Sequence, residues 1–514
     1  MTEPPILSDD PAELQPLVRE LFVQLRKSQR REELLQAKVD ELARKLYGRK
    51  AERVDPNQLP LIDPAELGQK AEPDSEPEIE EQEPPAKPRR RAKRKRPSKD
   101  LSRRRVEHET PEAERICPGC EVPMPPIRER IHEQVDYQPS SFEVIEHVTF
   151  VYGCKCGCDE KIVSSSKPPQ MVEKGLAGPG FLAHVMVSKY CDHIPLYRQE
   201  GIYRRHGVEA PRATLGGWVR MVSRGTEPLI EYLKSEQLLR SEIVATDDTH
   251  VPVQKKGGAY KGRLWVYIGD ASNPVVVYDY TPTRSREGPE TFLKGYGGFL
   301  QADGYSGYDR LFEESRSPRI YEVGCWMHAR RYFYEASLKD KGLPYEALAW
   351  IRRLYKIEKE AKELSAEKRL VLRQEKAEPI LDKMEAWLAA HRFEVLPKSP
   401  TGQAFTYATN QWEALRRYTS DGRLEIDNGR SERMLRLVAV GRKNWLFAGN
   451  DAGGRRAANI YTLTGTCRYH GWDPFEYLRW LFEVLPGLPE SRLGEVTPLA
   501  WAAERGLESS KLVA

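Results

Sequence analysis

The chain carries three acidic residues whose local settings suit metal binding. Asp247 and Asp303 each end a short apolar, β-branched run, and Glu432 lies in a run with helical spacing. An acid at the end of a buried strand is costly, because a desolvated carboxylate must be compensated by other charges. Two strand-end acids and one helix acid can converge on a shared divalent cation, and Mg²⁺ prefers such oxygen ligands. The pattern therefore predicts a metal-dependent phosphoryl-transfer site.

A sheet must bring these acids together. Residues 241–337 contain short β-rich runs separated by turn signals, which predict a mixed sheet of about five strands. The runs are EIVAT, RLWVYIG, PVVVYDY, GGFLQA and IYEVGC. The chain from Asp247 to Asp303 has the length expected if strands 1 and 4 lie side by side, and a helical insertion at about 338–420 must precede Glu432. We therefore predict an α/β, ribonuclease-H-like catalytic domain over 241–450, in which two cations ~3.5–4 Å apart activate a water or a 3′-hydroxyl.

A cysteine cluster upstream is typical of a metal site. The candidate ligands are Cys117, Cys120, Cys154, Cys156 and Cys158. The first two flank a Pro-Gly turn, and the last three follow a period-2 run, EVIEHVTFVYG. Two such halves on a β-hairpin predict a zinc ribbon over 107–165, which binds one structural Zn²⁺ through the first two cysteines and two of the last three. A ribbon this small is expected to depend on the metal for its folding energy.

The N-terminal part combines a heptad with a charged linker. Apolar residues recur at heptad spacing within 12–50, and such a stripe favours a coiled coil that joins chains into a homo-oligomer, parallel or antiparallel. The alternative is a single helix that packs on its own domain. Residues 51–106 are rich in Pro, Glu, Lys and Arg without periodicity, so no structure is predicted for them. Their basic part, 87–105, is typical of a nucleic-acid-binding arm or of a solubilising tail.

Residues 166–240 are predicted to be helical. An apolar-periodic segment, a turn at 206–207 and a second segment opening at Pro211 resemble a helix-turn-helix. Arg212 and Thr214 stand near the start of the second helix, where DNA contacts are made in that motif. The alternative is a helical hairpin that binds nothing.

Composition and length exclude several classes. The 514 residues suggest roughly three domains, and residues 451–514 are expected to form a C-terminal helical region. No run approaches ~18 apolar residues, and the N-terminus lacks the pattern of a signal peptide. Eight cysteines, most of them between 117 and 158, do not indicate a disulfide framework. We expect a cytoplasmic protein without membrane contact that is nucleoid-associated when bound to DNA.

The order of these features and of several long motifs resembles the insertion-sequence-66 family of transposases. The resemblance runs from near residue 14 to near residue 486, through LYGRKAER, CPGC, CKCGC, KYCDHIPLYRQE, DDTHV, LQADGYSGY, CWMHARRYF, DNGRSERMLR and GRKNWLFAG. It implies an acid-triad (DDE) core with two Mg²⁺ ions. It also implies double-stranded DNA as the partner, with cleavage at transposon terminal repeats and strand transfer into target DNA. Related elements encode small accessory proteins, which are candidate partners.

Carried over residue by residue, the resemblance gives the triad roles to Asp247, Asp303 and Glu432. It also marks two basic blocks as candidate contacts for the scissile phosphate or for a DNA end. These are His328, Arg330 and Arg331 in the first block and Arg442, Lys443 and Asn444 in the second. The alternative is a structural role, such as an arginine that pins a loop.

The chain departs from the family pattern at several positions. Asp248 stands where the family has Glu, which leaves open which neighbouring acid binds metal, with Asp247 favoured. Thr-His-Val replaces Thr-Pro-Val at 249–251, Gly429 replaces a second Asn, and CxCxC replaces a plain CxxC. No departure removes a triad acid. If Glu432 is not the third acid, Glu425 and Asp427 are next in line.

Two other functions fit part of the pattern. A ribonuclease-H-like nuclease without strand transfer, such as a junction resolvase, would use the same acids but has no need of a heptad, a zinc ribbon and a helix-turn-helix. A zinc-containing DNA-binding regulator that has lost catalysis would keep those parts, but an intact triad argues against it. The sequence therefore favours a transposase.

Overall fold

The computed structural model describes residues 102–111, 114–119, 121–138, 141–153, 162–173 and 175–509. The predicted heptad over 12–50, the predicted linker up to residue 101, and Cys120, Cys154, Cys156 and Cys158 lie outside the described residues. The described part forms two compact units. We call the residues up to Glu322 and from Asn428 onward the main unit, and Val323–Asp427 the insertion unit.

The first described segment folds into a four-stranded sheet. The strands are β1 (Ser102–His108), β2 (Pro126–Gln138), β3 (Ser141–Gly153) and β4 (Ile162–Ser164). Strand β3 lies between β1, which runs parallel to it, and β2, which is antiparallel. The short β4 pairs with the last residues of β3. The period-2 run between the cysteine pairs therefore lies in the central strand.

Strand β1 corrects the boundary of the predicted linker. Residues 102–106 were predicted to be without structure, yet they belong to β1. Acidic residues on the neighbouring strands supply countercharge for the arginines of this strand. Arg103 lies 3.2 Å from Glu146 on β3, and Arg105 lies 2.9 Å from Glu129 on β2. Pairing across strands cannot be read from the composition of the basic run alone.

The four-stranded sheet packs on the core of the main unit at one end. Its hairpin end contributes Phe142 to that core, with the ring 5.1 Å from that of Phe181. At the opposite end Cys117 is buried in a small separate cluster with Met124 and Tyr152. Packing therefore contributes folding energy at the hairpin end, and the metal dependence of the cysteine end stays a prediction.

Three helices follow the four-stranded sheet. They are α1 (Pro179–Tyr190), α2 (Leu196–Arg205) and α3 (Arg212–Tyr232), and α3 continues into π-helical Leu233–Gln237 and a 3₁₀ turn, Leu238–Arg240. Gly207, with φ 78°, makes the turn between α2 and α3, and Pro211 precedes α3. Glu200 of α2 accepts a hydrogen bond from the backbone N–H of Arg212 at 3.2 Å. The turn and the start of the second helix lie where the sequence predicted them.

A five-stranded mixed sheet supplies much of the core of the main unit. Its strands are β5 (Ile243–Lys255), β6 (Gly258–Ile268), β7 (Val276–Thr281), β8 (Gly298–Gln301) and β9 (Ile320–Val323). The order across the sheet is β7-β6-β5-β8-β9. Strands β5, β6 and β7 pair antiparallel, whereas β5 and β8 pair parallel. Between β7 and β8 lies a short helix, α4 (Glu287–Phe292).

The insertion unit is helical. Its helices are α5 (Trp326–Ser337), α6 (Leu343–Ala361), α7 (Ala366–Leu372), α8 (Glu378–His391), α9 (Pro400–Asn410) and α10 (Trp412–Arg416). The unit is wider than the predicted 338–420, because α5 packs on α9 through Phe333 and Phe405. Its two ends meet where the backbone N–H of Trp326 donates to the Ile426 carbonyl at 3.2 Å.

The chain then forms the remaining helices of the main unit. They are α11 (Gly429–Trp445), α12 (Asp451–His470), α13 (Pro474–Val484) and α14 (Pro498–Glu504). Helix α11 packs on β5, and α12 packs on β7. Among the helices of the described residues, none combines the length and the hydrophobicity that crossing a membrane requires.

Helix α12 protects the outer edge of the five-stranded sheet. The hydroxyl of Thr466 accepts a hydrogen bond from the backbone N–H of Val276 at 3.1 Å, and Thr462 accepts one from Tyr278 at 2.9 Å. An edge strand with unpaired N–H groups is prone to pair with other strands. The threonines occupy two of these groups, so β7 is covered by its own chain.

A buried arginine joins several segments of the insertion unit. Arg373 is fully buried and pairs with Glu358 through two hydrogen bonds of 2.8 and 2.7 Å. Its Nη1 also donates to the carbonyls of Tyr418 at 2.8 Å and Asp421 at 3.1 Å. The guanidinium therefore ties α6 to the segment that leads out of the unit.

We expect Arg373→Met to lower the free energy of unfolding by roughly 3–5 kcal/mol, because Glu358 then loses its buried partner. The matched control is Lys376→Met, which breaks the exposed 2.8 Å pair with Glu360 and should lower the free energy of unfolding far less, because water screens an exposed pair. Denaturant unfolding followed by circular dichroism measures both variants. Equal losses would show that the buried pair has no special role.

Candidate active site

Two of the predicted acids lie on or next to neighbouring parallel strands, although Asp247 does not end its strand as the sequence predicted. Asp247 lies within β5, which continues to Lys255, and Asp303 follows the end of β8. In the register of β5 and β8, Ala245 is opposite Gln301. Asp247 lies two residues beyond the first, and Asp303 lies two residues beyond the second. Side chains alternate along a strand, so a two-residue step preserves the face. The register therefore directs both acids to one place, as the sequence predicted for strands 1 and 4.

Helix α11 positions the third acid. The side-chain amide of the buried Asn428, directly before the helix, donates to the carbonyl of Thr246 at 2.7 Å. Tyr278 on β7 donates to the carbonyl of Met434 at 2.9 Å and holds the helix from the sheet side. Glu432 lies in the first turn and is half-buried. Because Asn428 is attached to the residue directly before Asp247, the helix start is fixed relative to that acid.

The electrostatics of Asp247 indicate that Asp303 and Glu432 lie near it. Burial raises the pKa of Asp247 to about 8, and the negative charges of Asp303, Asp248 and Glu432 contribute to the increase. A 2.8 Å hydrogen bond from the backbone N–H of Asp248 opposes the shift. Each of the other triad acids therefore acts directly on Asp247.

The side chain of Asp248 is in a different environment from that of Asp247. Its side chain is 1% exposed and pairs with two arginines, Arg263 at 2.9 Å and Arg284 at 2.7 Å. Each arginine takes one carboxylate oxygen, so the charge of Asp248 is already compensated within the protein. Between the two adjacent acids, the geometry favours Asp247 as the metal ligand.

The donor chemistry of the three carboxylates suits a divalent cation. Within the residues that the structure describes, however, no group of three His, Cys, Asp or Glu side chains stands ready to hold a metal ion. Burial and the negative charges of Asp303 and Glu432 raise the pKa of Asp247, and a cation would remove that repulsion. Arg284 already approaches Asp303, with Nη2 3.6 Å from Oδ2. The backbone thus assembles the acids, although the carboxylates are not in a ligating arrangement.

Arg442 contacts the protein through one nitrogen of its guanidinium group. Its Nη1 donates to the hydroxyl of Thr249 at 2.8 Å and to the carbonyl of His250 at 2.6 Å. These contacts pin α11 to β5, and they involve the position at which this chain departs from the family pattern. Burial, and then the charge of Arg263, lowers the pKa of Arg442. The geometry favours the positioning role, and contact of Arg442 with DNA remains a prediction.

The other candidate DNA contacts lie on three helices. One pair is exposed near the end of α11, a second pair is exposed in the first turn of α3, and a group of three lies on α5 of the insertion unit, where the histidine is half-buried and both arginines are exposed. In that order they are Lys443 and Asn444, Arg212 and Thr214, and His328, Arg330 and Arg331. Exposed side chains of this kind suit contact with DNA, and that contact stays a prediction.

The remaining candidates can be placed in part. Cys117 is buried in the small cluster with Tyr152, and it is the one zinc candidate within the described residues. Asp427 accepts a 2.7 Å hydrogen bond from Tyr355 inside the insertion unit, and Glu425 is exposed there. The negative charge of Glu432 is among the causes that raise the pKa of Asp247. Glu432 therefore stays the favoured third acid.

Sequence reasoning missed the residues that hold the acids in place. Arg263 is opposite His250 in the β5–β6 register, so it can be found only when the pairing of the hairpin is known. Arg284 follows β7 in a segment without a recognisable motif. Asn428, by contrast, lies in the DNGRSERMLR motif, where its position just before the helix was a usable signal.

A pH dependence follows from the raised pKa of Asp247. A buried acid with a raised pKa stabilises the fold fully below its unfolded pKa of about 4, and this stability is lost as the pH rises through about 8. In the presence of a chelator, Asp247→Asn should therefore be more stable than the wild type at pH 8. The advantage should grow by at most about 1.4 kcal/mol per pH unit and vanish near pH 4.

Thermal unfolding between pH 4 and pH 9 measures this difference, and Asp309→Asn, at an exposed acid, is the matched control. The amide oxygen introduced by Asp247→Asn can still accept the hydrogen bond from the Asp248 backbone, so the variant isolates the charge. A difference between wild type and Asp247→Asn that does not change with pH would contradict the account.

Comparison with known protein families gives matches along most of the chain. The Transposase IS66 family matches residues 174–456, and the zinc-finger binding domain of transposase IS66 matches 114–157. The segment 34–106 matches a model described as Transposase C of IS166 homeodomain, and 462–499 matches the IS66 C-terminal element. The first match includes both strands and the helix that carry the triad.

Three proteins of Sinorhizobium fredii (strain NBRC 101917 / NGR234) are similar to the chain, and each is named as uncharacterized. The protein y4hP is 32% identical over 499 residues, which are 91% of this chain and 88% of the relative. The protein y4qI is 34% identical over 402 residues, 76% of this chain and 74% of the relative, and y4jD is 30% identical over 410 residues. The chain therefore belongs to the IS66 family of transposases.

Proposed function

We propose that this chain is an active DNA transposase that cuts the ends of its element and joins them to target DNA. Asp247, Asp303 and Glu432 would hold two Mg²⁺ ions for both steps. The parallel pairing of β5 with β8 carries the proposal, because it directs two acids to one edge of the sheet. The anchoring of α11 through Asn428 brings the third acid to the same place.

The strand order supports a ribonuclease-H-like assignment of the catalytic domain. The first three strands of the sheet form an antiparallel meander, and the fourth lies parallel beside the first. This is the arrangement that the spacing of the acids required. The insertion unit enters after the fifth strand, between the second and third acids of the triad.

The bound cations would activate a water or a 3′-hydroxyl and stabilise the leaving oxygen of the phosphodiester. The protein must supply three ionised carboxylates for this purpose. Asp247 has a pKa of about 8, so it gives up its proton when it acts as a ligand. Activity should therefore fall as the pH drops below neutrality, because protons compete with the metal.

The other parts of the chain would prepare the DNA for this chemistry. We propose that the cysteine cluster binds one Zn²⁺ and that the heptad over 12–50 pairs two chains. The helical hairpin of α2 and α3 and the basic blocks would contact terminal repeats, with small accessory proteins as further partners. Action on DNA in the cytoplasm is expected of such a protein.

A nuclease without strand transfer and a silent regulator remain the alternatives to test. The match of 114–157 to a transposase zinc-finger model favours the transposase over a simple nuclease. The assembled acids favour catalysis over a purely regulatory role, because an inactive protein gains nothing from placing repelling carboxylates together.

Conservative replacement of each triad acid tests the proposal. Asp247→Asn, Asp303→Asn and Glu432→Gln should each lower Mg²⁺-dependent nicking and strand transfer by at least ~10³-fold, because the ligand charge is lost while the shape remains. Gel shift with terminal-repeat DNA should change little, since the proposed DNA contacts lie elsewhere. The matched control is Glu425→Gln, at an exposed acid that should be dispensable.

The outcomes separate the alternatives. Nicking without strand transfer by the wild type would indicate the nuclease, and DNA binding without nicking would indicate the regulator. Near-normal nicking by Glu432→Gln together with loss in Glu425→Gln would move the third acid. Loss of DNA binding along with nicking in the triad variants would mean that the acids are structural.

A further inference from the structure

Two arginines hold a buried carboxylate beside the predicted triad. The Asp248 carboxylate is 1% exposed, and Arg284 binds one of its oxygens through Nε at 2.8 Å and Nη2 at 2.7 Å. Arg263 binds the other oxygen through Nη1 at 2.9 Å. A buried carboxylate that pairs with two guanidinium groups fixes the position of both.

Arg284 reaches beyond this carboxylate to a triad acid. Its Nη2 lies 3.6 Å from Oδ2 of Asp303, so the same nitrogen faces two carboxylates. The guanidinium carbon lies 3.7 Å from the ring centroid of Tyr305, whose hydroxyl donates to the Arg284 carbonyl. The backbone N–H of Tyr305 in turn donates to Oδ1 of Asp303 at 3.0 Å. Arg284 is therefore held on several sides against one oxygen of Asp303.

We infer that Arg284 is a built-in counter-ion of Asp303 that competes with the divalent cation for the same carboxylate. The inference rests on the proposed function, since it takes Asp303 as a metal ligand. A guanidinium at this distance attracts the carboxylate and repels a cation that approaches it. Binding of the metal requires Asp303 to turn from Arg284, which stays attached to Asp248. Arg284 thus sets the cation affinity of the site while it keeps Asp303 in place.

Arg263 provides an internal comparison. Its ion pair is with the same Asp248 carboxylate. Arg284 pairs with both Asp248 and Asp303. Removal of either arginine weakens the pairing of Asp248, but removal of Arg284 also takes a positive charge away from the triad. A merely structural role predicts the same effect for both, whereas the counter-ion role predicts a difference.

Titration calorimetry with Mn²⁺ on the full-length protein tests the inference. The wild type, Arg284→Gln, Arg263→Gln and Asp303→Asn are compared at one pH and ionic strength. We expect Arg284→Gln to bind Mn²⁺ about fivefold more tightly or better, since a single charge at about 4 Å acts even through water. Arg263→Gln should stay within about twofold of the wild type, because the ion pair of Arg263 is with Asp248 rather than with a proposed metal ligand. Asp303→Asn should lose binding.

Thermal unfolding provides a second measurement of the counter-ion role of Arg284. Arg284→Gln should lower the melting temperature more with chelator than with Mn²⁺, because a bound cation replaces the lost countercharge. If Arg284→Gln is too unstable to purify, the double variant Asp248→Asn/Arg284→Gln is compared with Asp248→Asn alone, and the same tightening is expected.

Each result has one meaning. Equal Mn²⁺ affinity in Arg284→Gln and the wild type, with loss in Asp303→Asn, would overturn the counter-ion role and leave the proposed function intact. Equal affinity in Asp303→Asn and the wild type would overturn both. An equal increase in affinity for Arg263→Gln and Arg284→Gln would also contradict the inference, since it would show a general effect of lost positive charge.

Discussion

Carboxylates that share one edge of a sheet repel one another, and burial removes the water that would screen the repulsion. In this chain the parallel register of β5 and β8 imposes that arrangement on Asp247 and Asp303, and the start of α11 adds Glu432. The cost appears in the pKa of Asp247, which rises to about 8. Cations that entered such a cluster would remove this cost.

The surrounding contacts keep the acids together in spite of this repulsion. Asn428 fixes the helix start to β5, and Arg442 fixes the other end of α11 to the continuation of the same strand. The carboxylate of Asp248 forms ion pairs with two arginines, and one of them also forms an ion pair with Asp303. Rigid attachment of ligands to strands and a helix is what a preorganised site needs. A membership in a transposase family and a site of this kind are consistent with one another.

The sequence predicted the parts of this account that depend on local pattern. β-branched runs identified all five strands, and an acid after each of two runs identified Asp247 and Asp303, because both signals lie in contiguous residues. Strand β5 nevertheless continues past Asp247 to Lys255. The turn at 206–207 and the helix that starts at Arg212 could be predicted for the same reason. The features that the sequence could not predict depend on pairing between distant segments. Strand β1 forms from a run of arginines because glutamates on other strands face it, and Arg284 meets Asp248 and Asp303 only after β7 is in place.

A crystal structure of the full chain with terminal-repeat DNA and Mn²⁺, with the ions located by anomalous scattering, tests the central claim most directly. The account predicts two Mn²⁺ ions ~3.5–4 Å apart, with ligands from Asp247, Asp303 and Glu432 and with Asp303 turned away from Arg284, which stays on Asp248. Ions bound through Asp248, Asp427 or Glu425, or an absence of ions at the edge shared by β5 and β8, would contradict it.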